Sequence, residues 1–226
     1  MSHKNLYYKG FKSALPIVLG YLPLGFAYGV LGIKSGLSIL DVIIFSLLCY
    51  AGSAQFIGVN LWSLGADPIS MIITIFIVNL RHLLYSTSLS QYFKNISTVH
   101  IPILSFFITD ESYAVSITDF NNGIKPEKNY LYQLFLTSYL SWVMSSALGA
   151  LFGAKIGGKL DLGLDFALPA MYIALLFMQL NNSKKTIIAI ISGLLSLWFY
   201  FIIPGNLNII IAAIIGSLLG VILNEL

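Results

Sequence analysis

Long apolar runs separated by short polar stretches repeat along the whole chain. A helix needs about 20 consecutive apolar residues to cross a bilayer, and most of these runs approach that length. The pattern therefore predicts an all-α polytopic membrane protein with about 7–8 transmembrane helices. The runs cover roughly residues 14–33, 39–62, 69–91, 101–117, 131–154, 164–180, 186–203 and 207–223.

Glycines at four-residue spacing mark two of these runs. Gly25 and Gly29 share one face of the first run, and Gly149, Gly153 and Gly157 follow each other through the fifth and just beyond it. Small residues at this spacing let helix backbones approach closely in membranes. The first run is therefore predicted to carry a small-residue packing surface, and the fifth run has the same spacing.

The second run is interrupted at its centre by Tyr-Ala-Gly-Ser-Ala-Gln-Phe, residues 50–56. Gly52, Ser53 and Gln55 stand where leucine or isoleucine would be expected. Glycine weakens a helix, and serine and glutamine offer hydrogen bonds where unpaired polar groups are costly. The stretch predicts a broken helix near the midplane that binds substrate, or a close helix crossing whose polar groups are bonded to neighbouring helices.

The third run has Asn79-Leu80-Arg81-His82 at its centre. An arginine at the middle of a spanning helix costs about 2.5–3.5 kcal/mol on insertion scales, so it usually faces a partner, a cavity or a substrate. Arg81 shares a helical stripe with Thr74, Tyr85 and Ser88, which predicts a polar seam. We predict Asn79 and Arg81 at the substrate and His82 in coupling or an ion pair, with a structural ion pair as the alternative.

The fourth run is short and carries Asp110-Glu111 in its middle, preceded by Thr109. Neighbouring side chains on a helix point about 100° apart, so the two acids cannot face one partner. One is expected to pair with Arg81. The other would be held protonated by burial and could carry a coupling proton. Alternatively, the segment is only partly inserted and both acids meet water.

The second and sixth runs resemble each other. Residues 50–57 can be laid on residues 166–173 so that two alanines and an isoleucine coincide, with the helix breakers Gly52 and Pro169 inside. Interrupted segments at corresponding places in two halves point to a transporter's binding site. The chain is thus predicted to be one transporter domain, 1–226, with repeat halves of about 13–118 and 130–223. Pro169 and Tyr172 are expected at the substrate, and Asp165, on their face, in coupling or an ion pair.

Composition supports the membrane class. Of 226 residues, 58% are hydrophobic and 9% charged, and the mean hydropathy is +0.87. Soluble domains carry about 25% charged residues, so this chain is expected in the lipid bilayer. The net charge of +3 indicates no nucleic-acid partner. Cys49 is the single cysteine and the histidines are scattered, so we expect no disulfide framework, no metal and no cofactor.

Several motifs resemble the AzlC family. The run from Phe45 to Ser88, with Tyr-Ala-Gly-Ser-Ala-Gln-Phe and then Asn-Leu-Arg-His-Leu-Leu-Tyr, is similar to that family, as are Thr109-Asp110-Glu111-Ser112 and residues 164–169. The resemblance implies the large subunit of a bacterial branched-chain amino acid exporter. It also implies a place in the cytoplasmic membrane and a small AzlD-type membrane subunit as partner.

The resemblance and the residues lead to one mechanistic expectation. Arg81 is suited to bind the carboxylate of an amino acid bidentately, and Asp110, Glu111 or Asp165 to meet the ammonium or carry a proton. No nucleotide-binding loop is present, so energy is expected from an ion gradient, the solute gradient or a partner chain. Alternatives are an exporter of another small amino acid or organic solute, an intramembrane enzyme, and a channel. No ordered Ser/His/Asp motif favours the enzyme.

Overall fold

The computed structural model describes residues 3–94, 96–156, 173, 176–177, 180, 182–202, 211–212 and 214–220. Over these residues all regular secondary structure is helical, so the predicted all-α class is confirmed there. The principal helices, in chain order, are α1 (His3–Lys34), α2 (Ile39–Leu48), α3 (Gly52–Ser63), α4 (Pro68–Asn79), α5 (Arg81–Ser90), α6 (His100–Phe106), α7 (Asp110–Asn121), α8 (Lys128–Ile156) and α9 (Ser183–Tyr200).

Three helical stretches in the described part of the chain are long and apolar enough to cross a membrane: Leu6–Lys34, Pro68–Ser90 and Lys128–Ile156. They coincide with the first, third and fifth predicted runs. Along Pro68–Ser90 the outward side chains are large and apolar, as a surface facing lipid requires. A total of 7–8 transmembrane helices stays a prediction.

The second run is broken where the sequence predicts a break. Helix α2 ends at Leu48 and α3 begins at Gly52, and Ala51 between them has extended backbone angles. A Cβ on Gly52 would lie 2.8 Å from a ring carbon of Trp142, so only glycine lets α3 begin against the indole face. The interruption is therefore confirmed as a gap between two short helices.

The fourth run differs from its prediction, because the acids do not lie in the middle of one helix. The chain leaves the helix at Phe107 and re-enters it at Asp110, with Thr109 as the N-cap. The Thr109 hydroxyl accepts from the Ser112 amide at 3.3 Å, and the Ser112 hydroxyl accepts from the Thr109 amide at 2.8 Å. These reciprocal bonds, and the preference of carboxylates for the first turn of a helix, place Asp110 and Glu111 at a helix start.

The predicted glycine surface on the first run lies between α1 and α8. A Cβ on Gly29 would overlap the backbone of Ser146, and one on Gly149 would lie 2.8 Å from the Cα of Phe26. Gly25 and Gly153 make similar approaches farther along the crossing. The small-residue packing surface is thus confirmed for these residues, while Gly157 lies outside the described part.

The chain divides into two compact units, Met1–Leu168 and Pro169–Leu226. Helices α1 to α8 belong to the first unit and α9 to the second. Asp165, Pro169 and Tyr172 lie outside the described residues, together with most of the sixth predicted run. The single transporter domain, the second copy of the repeat and its two halves therefore stay predictions.

Candidate functional site

The helix through the third run tightens where its polar residues lie. The Leu80 amide donates to the Ile77 carbonyl, and the Leu83 amide donates to the Leu80 carbonyl, which is three-residue spacing instead of four. Such a turn often marks a functional position in a helix. It separates α4 from α5 and carries Asn79 and Arg81.

The predicted polar seam on this helix faces the protein. Thr74, Arg81, Tyr85 and Ser88 are all partly buried, whereas their apolar neighbours on the outer face are exposed. Ser88 and Tyr113 of α7 share a hydrogen bond of 3.0 Å, and the rings of Tyr85 and Tyr113 stack at 4.7 Å. The seam therefore packs α5 against α7.

Arg81 joins three helices. Its Nη2 donates to the Ser53 hydroxyl at the start of α3, and its Nη1 lies 2.7 Å from Oδ2 of Asp110 at the start of α7. The Arg81 and Asp110 side chains are 24% and 19% exposed, so most of this ion pair is shielded from solvent. The expectation that one of the two acids pairs with Arg81 is confirmed, and that acid is Asp110.

The cluster of Ser53, Arg81 and Asp110, and Asn79 two residues before Arg81 in the chain, leave polar atoms without partners. Asn79 Oδ1, Arg81 Nε and Asp110 Oδ1 are buried and make no hydrogen bond within the described part of the chain. An unpaired buried polar atom costs about 1–3 kcal/mol, and native structures rarely carry several together. These three atoms comprise one donor and two acceptors.

Glu111 faces a different partner from Asp110, as the helical geometry predicts. Its Oε2 accepts a hydrogen bond of 2.7 Å from the Tyr21 hydroxyl of α1. The same hydroxyl lies 2.8 Å from Oγ1 of Thr109. The ring of Tyr50, from the gap between α2 and α3, packs edge-on against Tyr21 at 6.3 Å. The two adjacent acids thus belong to two different sets of neighbours.

Gln55 belongs to a third group of hydrogen-bonded side chains, which is fully buried. Its Oε1 accepts from the Trp142 indole N–H at 2.7 Å, and its Nε2 donates to Ser46 at 3.3 Å. Ser46 in turn bonds to Ser146 of α8 at 2.7 Å. Gln55 therefore ties α3 to α2 and α8. Ser53 is only two residues from Gln55, but its hydroxyl accepts a hydrogen bond from Arg81 instead.

His82 stays close to its own helix. Its Nδ1 lies 3.2 Å from the Asn79 carbonyl, which can only accept, so Nδ1 carries the hydrogen. The imidazole packs edge-on against Tyr85 at 5.9 Å. Within the described residues, no three His, Cys, Asp or Glu side chains gather as a metal site would require.

Sequence reasoning missed Tyr21 and the part played by Tyr50, Thr109 and Trp142. Tyr50 and Thr109 lie inside the recognised motifs, so their neighbourhood was a usable signal. Tyr21 carries no such signal. A tyrosine in an apolar span resembles ordinary packing until the chain is folded, because its partner is 90 positions away.

Comparison with known proteins places the chain in a family. A profile described as AzlC protein matches residues 16–156. An uncharacterized membrane protein of Archaeoglobus fulgidus is 33% identical over 223 residues, covering 97% of this chain and 96% of the relative. The branched-chain amino acid transport protein AzlC of Bacillus subtilis is 29% identical over 228 residues, covering 98% and 87%.

The inner membrane protein YgaZ of Escherichia coli is 27% identical over 182 residues, covering 78% of this chain and 74% of the relative. No solved structure matches the chain. The profile match contains Ser53, Arg81, Asp110 and Glu111, so the clusters described above lie inside the matched segment. This membrane protein therefore belongs to the AzlC family.

Proposed function

We propose that this chain exports branched-chain amino acids across the bacterial cytoplasmic membrane, together with a small AzlD-type membrane subunit. A Bacillus subtilis relative covering nearly the whole chain is named as a branched-chain amino acid transport protein, which supports the solute class. The observation that carries the proposal is the set of unpaired atoms on Asn79, Arg81 and Asp110. One donor and two acceptors match the carboxylate and ammonium of a zwitterion.

In this proposal Arg81 binds the carboxylate. Its Nε–H is free, and together with an Nη group it offers the two parallel donors that suit a carboxylate. The free Oδ1 of Asp110 and Oδ1 of Asn79 then accept from the ammonium. Because both the ion pair and the amino acid are neutral overall, binding adds no net charge to a shielded site.

The helix break shapes the site. Ser53 at the start of α3 holds one arm of the guanidinium, and Gly52 lets that helix start lie against Trp142. Gln55 bonds to Trp142 and Ser46, so here it maintains the shape of the break without touching the solute. From the sequence comparison of the second and sixth runs, Pro169 and Tyr172 stay predicted at the substrate and Asp165 in coupling or an ion pair.

Transport fits these contacts better than catalysis. A serine nucleophile requires an adjacent base to accept its proton. The Ser53 hydroxyl instead accepts from Arg81, which cannot serve as that base.

The test is the intracellular pool of valine, leucine and isoleucine in cells fed a branched-chain dipeptide. Cells would carry this chain alone, this chain with a small AzlD-type subunit, or neither. We expect a lower plateau only when both subunits are present. An unchanged plateau in every arm, with both proteins detected in the membrane, would refute the proposed substrate.

Variants of Arg81 refine the same test. Arg81→Ala is expected to abolish the lower plateau, and Arg81→Lys to restore only part of it, because lysine lacks the planar pair of donors. Lys94→Ala, at an exposed cation, is the matched control and should behave as the unaltered chain. Normal export by a well-folded Arg81→Ala protein would exclude Arg81 as the carboxylate ligand.

A further inference from the structure

The adjacent carboxyls of Asp110 and Glu111 differ in what balances their charge. Asp110 is paired with Arg81 at 2.7 Å. No lysine, arginine or histidine of the described residues pairs with Glu111, whose carboxyl contacts the Tyr21 hydroxyl instead. A shielded carboxylate without a cation is costly, and taking up a proton removes that cost.

We infer that Glu111 is the proton-binding site of this transporter, with Tyr21 and Thr109 as positioning residues that keep it hydrogen-bonded in both protonation states. The link to amino acid movement rests on the proposed function. The proton site itself rests on the geometry around Glu111 and is testable without any solute.

The hydrogen bonds around Tyr21 can reverse direction. When Glu111 is ionised, the Tyr21 O–H donates to Oε2, and Tyr21 accepts from the Thr109 hydroxyl. When Glu111 is protonated, its own O–H donates to the Tyr21 oxygen, and the Tyr21 O–H turns to Oγ1 of Thr109. Oγ1 can accept in the second state because its hydrogen can point to the Ser112 hydroxyl at 3.3 Å. Neither state leaves the chain of hydroxyls unpaired.

The groups around Glu111 are neutral or negative. Tyr21 faces it from α1, and Asp110 is its neighbour on α7. Tyr50 reaches toward the same place from the gap between α2 and α3, only 6% exposed. Tyr85 of α5 is a further neutral neighbour that interacts with both acids. Arg81 is the nearby cation, and it is held by Asp110.

Proton binding and amino acid binding then compete. With both acids ionised and Arg81 charged, this region carries one excess negative charge, which favours the ammonium of the solute. A proton arriving from the outer aqueous phase forms the carboxylic acid of Glu111, removes that excess and weakens ammonium binding. When the proton leaves toward the inside, the excess returns. One proton entering can in this way drive one amino acid out, and no electrons are transferred.

The first test is infrared difference spectroscopy of the purified chain in lipid, recorded against pH without solute. We expect a carboxylic acid band that disappears in Glu111→Gln. It should persist in Asp119→Asn, a matched acid on the same helix that accepts from Ser13 and Tyr130. An unchanged band in Glu111→Gln would overturn the inference, whatever the protein transports.

Tyr21→Phe keeps the test decisive should Glu111→Gln fail to fold. Removing a donor from the ionised carboxylate should move the midpoint of the band to higher pH. A midpoint that does not move would count against Tyr21 as the positioning residue and against the inference.

The second test compares two modes of valine movement in membrane vesicles that hold the complete transporter. Glu111→Gln, like protonated Glu111, should bind valine more weakly, but at saturating valine it should keep valine–valine counterflow, since counterflow needs no net proton movement. It should lose at least about tenfold in valine uptake driven by a pH gradient. Equal pH-driven uptake in variant and unaltered chain would overturn the inference. A failed dipeptide test beside a Glu111-dependent infrared band would instead refute the substrate and leave the proton site standing.

Discussion

The crossing of α1 and α8 and the cluster around Arg81 lie in the same compact unit. They differ in how completely their buried polar groups are hydrogen-bonded. At the crossing, Gly29 and Gly149 bring backbones together, and beside it Gln55 of α3 and Ser46 of α2 bond to Trp142 and Ser146 of α8. Around Arg81, buried polar atoms on Asn79, Arg81 and Asp110 have no partner among the described residues. The first region is closed apart from the Tyr28 hydroxyl, which is buried without a partner among the described residues, and the second retains bonding capacity on three atoms.

This difference indicates where stability and function reside. Close packing and satisfied hydrogen bonds stabilise the closed region, so changes there should lower the amount of folded protein. Unpaired buried groups in the second region lower stability. Native proteins retain such groups where they bind a ligand. Variants of the two regions should therefore separate folding from transport.

The largest effect is expected from Gly29→Ala. Its new methyl group would overlap the backbone of Ser146, and overpacking costs about 1–3 kcal/mol or more. Gly20→Ala is the matched control on the same helix, because nothing lies within 4 Å of its Cβ position. Alanine is also about 1 kcal/mol better than glycine in a helix, so the control should be unchanged or slightly stabilised. Unfolding in detergent measures both, and equal stability would contradict the described crossing.

Trp142→Phe should also lower stability. It leaves the Gln55 Oε1 buried without its donor, a loss of about 1–3 kcal/mol, and removes part of a large side chain. Trp62→Phe is the control, since Trp62 is 54% exposed. Where the Trp142 variant still folds, its preference among valine, leucine and isoleucine should be retained. A changed preference without a stability loss would move Gln55 and Trp142 into the solute site.

Ser53→Ala should impair transport more than stability. The variant removes one partner of the Arg81 guanidinium, and a hydrogen bond to a charged group contributes about 1.5–3 kcal/mol. We expect the KM for valine to rise about tenfold. The unfolding transition should move less than in Trp142→Phe, because the guanidinium keeps its ion pair with Asp110 and is partly exposed. Ser63→Ala, at the exposed end of the same helix, should alter neither quantity. A Ser53 variant with normal KM would show that this contact does not orient the guanidinium.

The smallest effect concerns Asp67, the N-cap of α4, which lies outside both regions. Hydrogen bonds from the Ser70 side chain and from the Ser70 and Ile69 amides lower its pKa. A lowered pKa in the folded state means that the contribution to stability is present at neutral pH and is lost as pH falls through that value. Asp67→Asn keeps a cap without a titrating group. The unaltered chain should therefore lose stability relative to Asp67→Asn below about pH 4, and a constant difference would contradict this cap.

The sequence predicted the parts of the fold that local patterns determine. Periodicity predicted the helical class of the described residues. Polar or small residues at the centre of apolar runs predicted the break before Gly52 and the inward polar seam. The break before Asp110 was missed, although Thr109 and Ser112 have capping-box spacing, because the surrounding apolar run outweighed that signal.

The site was predictable only in outline. An intramembrane arginine with acids elsewhere in the chain indicated an ion pair, but sequence could not decide between Asp110 and Glu111, since the choice depends on how α7 is rotated. The bonds from Tyr21 to Glu111 and from Trp142 to Gln55 join positions about 90 residues apart. Such contacts come from tertiary packing, which periodicity does not encode.

The central claim is that Arg81 recognises the carboxylate of the solute, and competition for labelled valine in membrane vesicles tests it most directly. The competitors are unlabelled valine and valinamide, which keeps the ammonium but lacks the carboxylate. With the unaltered chain, valine should compete at least about tenfold better, as expected for a hydrogen bond between charged groups. Counterflow that persists in Arg81→Lys should show a smaller preference, because lysine keeps the charge but lacks the planar pair of donors. An undiminished preference in a folded Arg81→Lys or Arg81→Ala protein would contradict the claim.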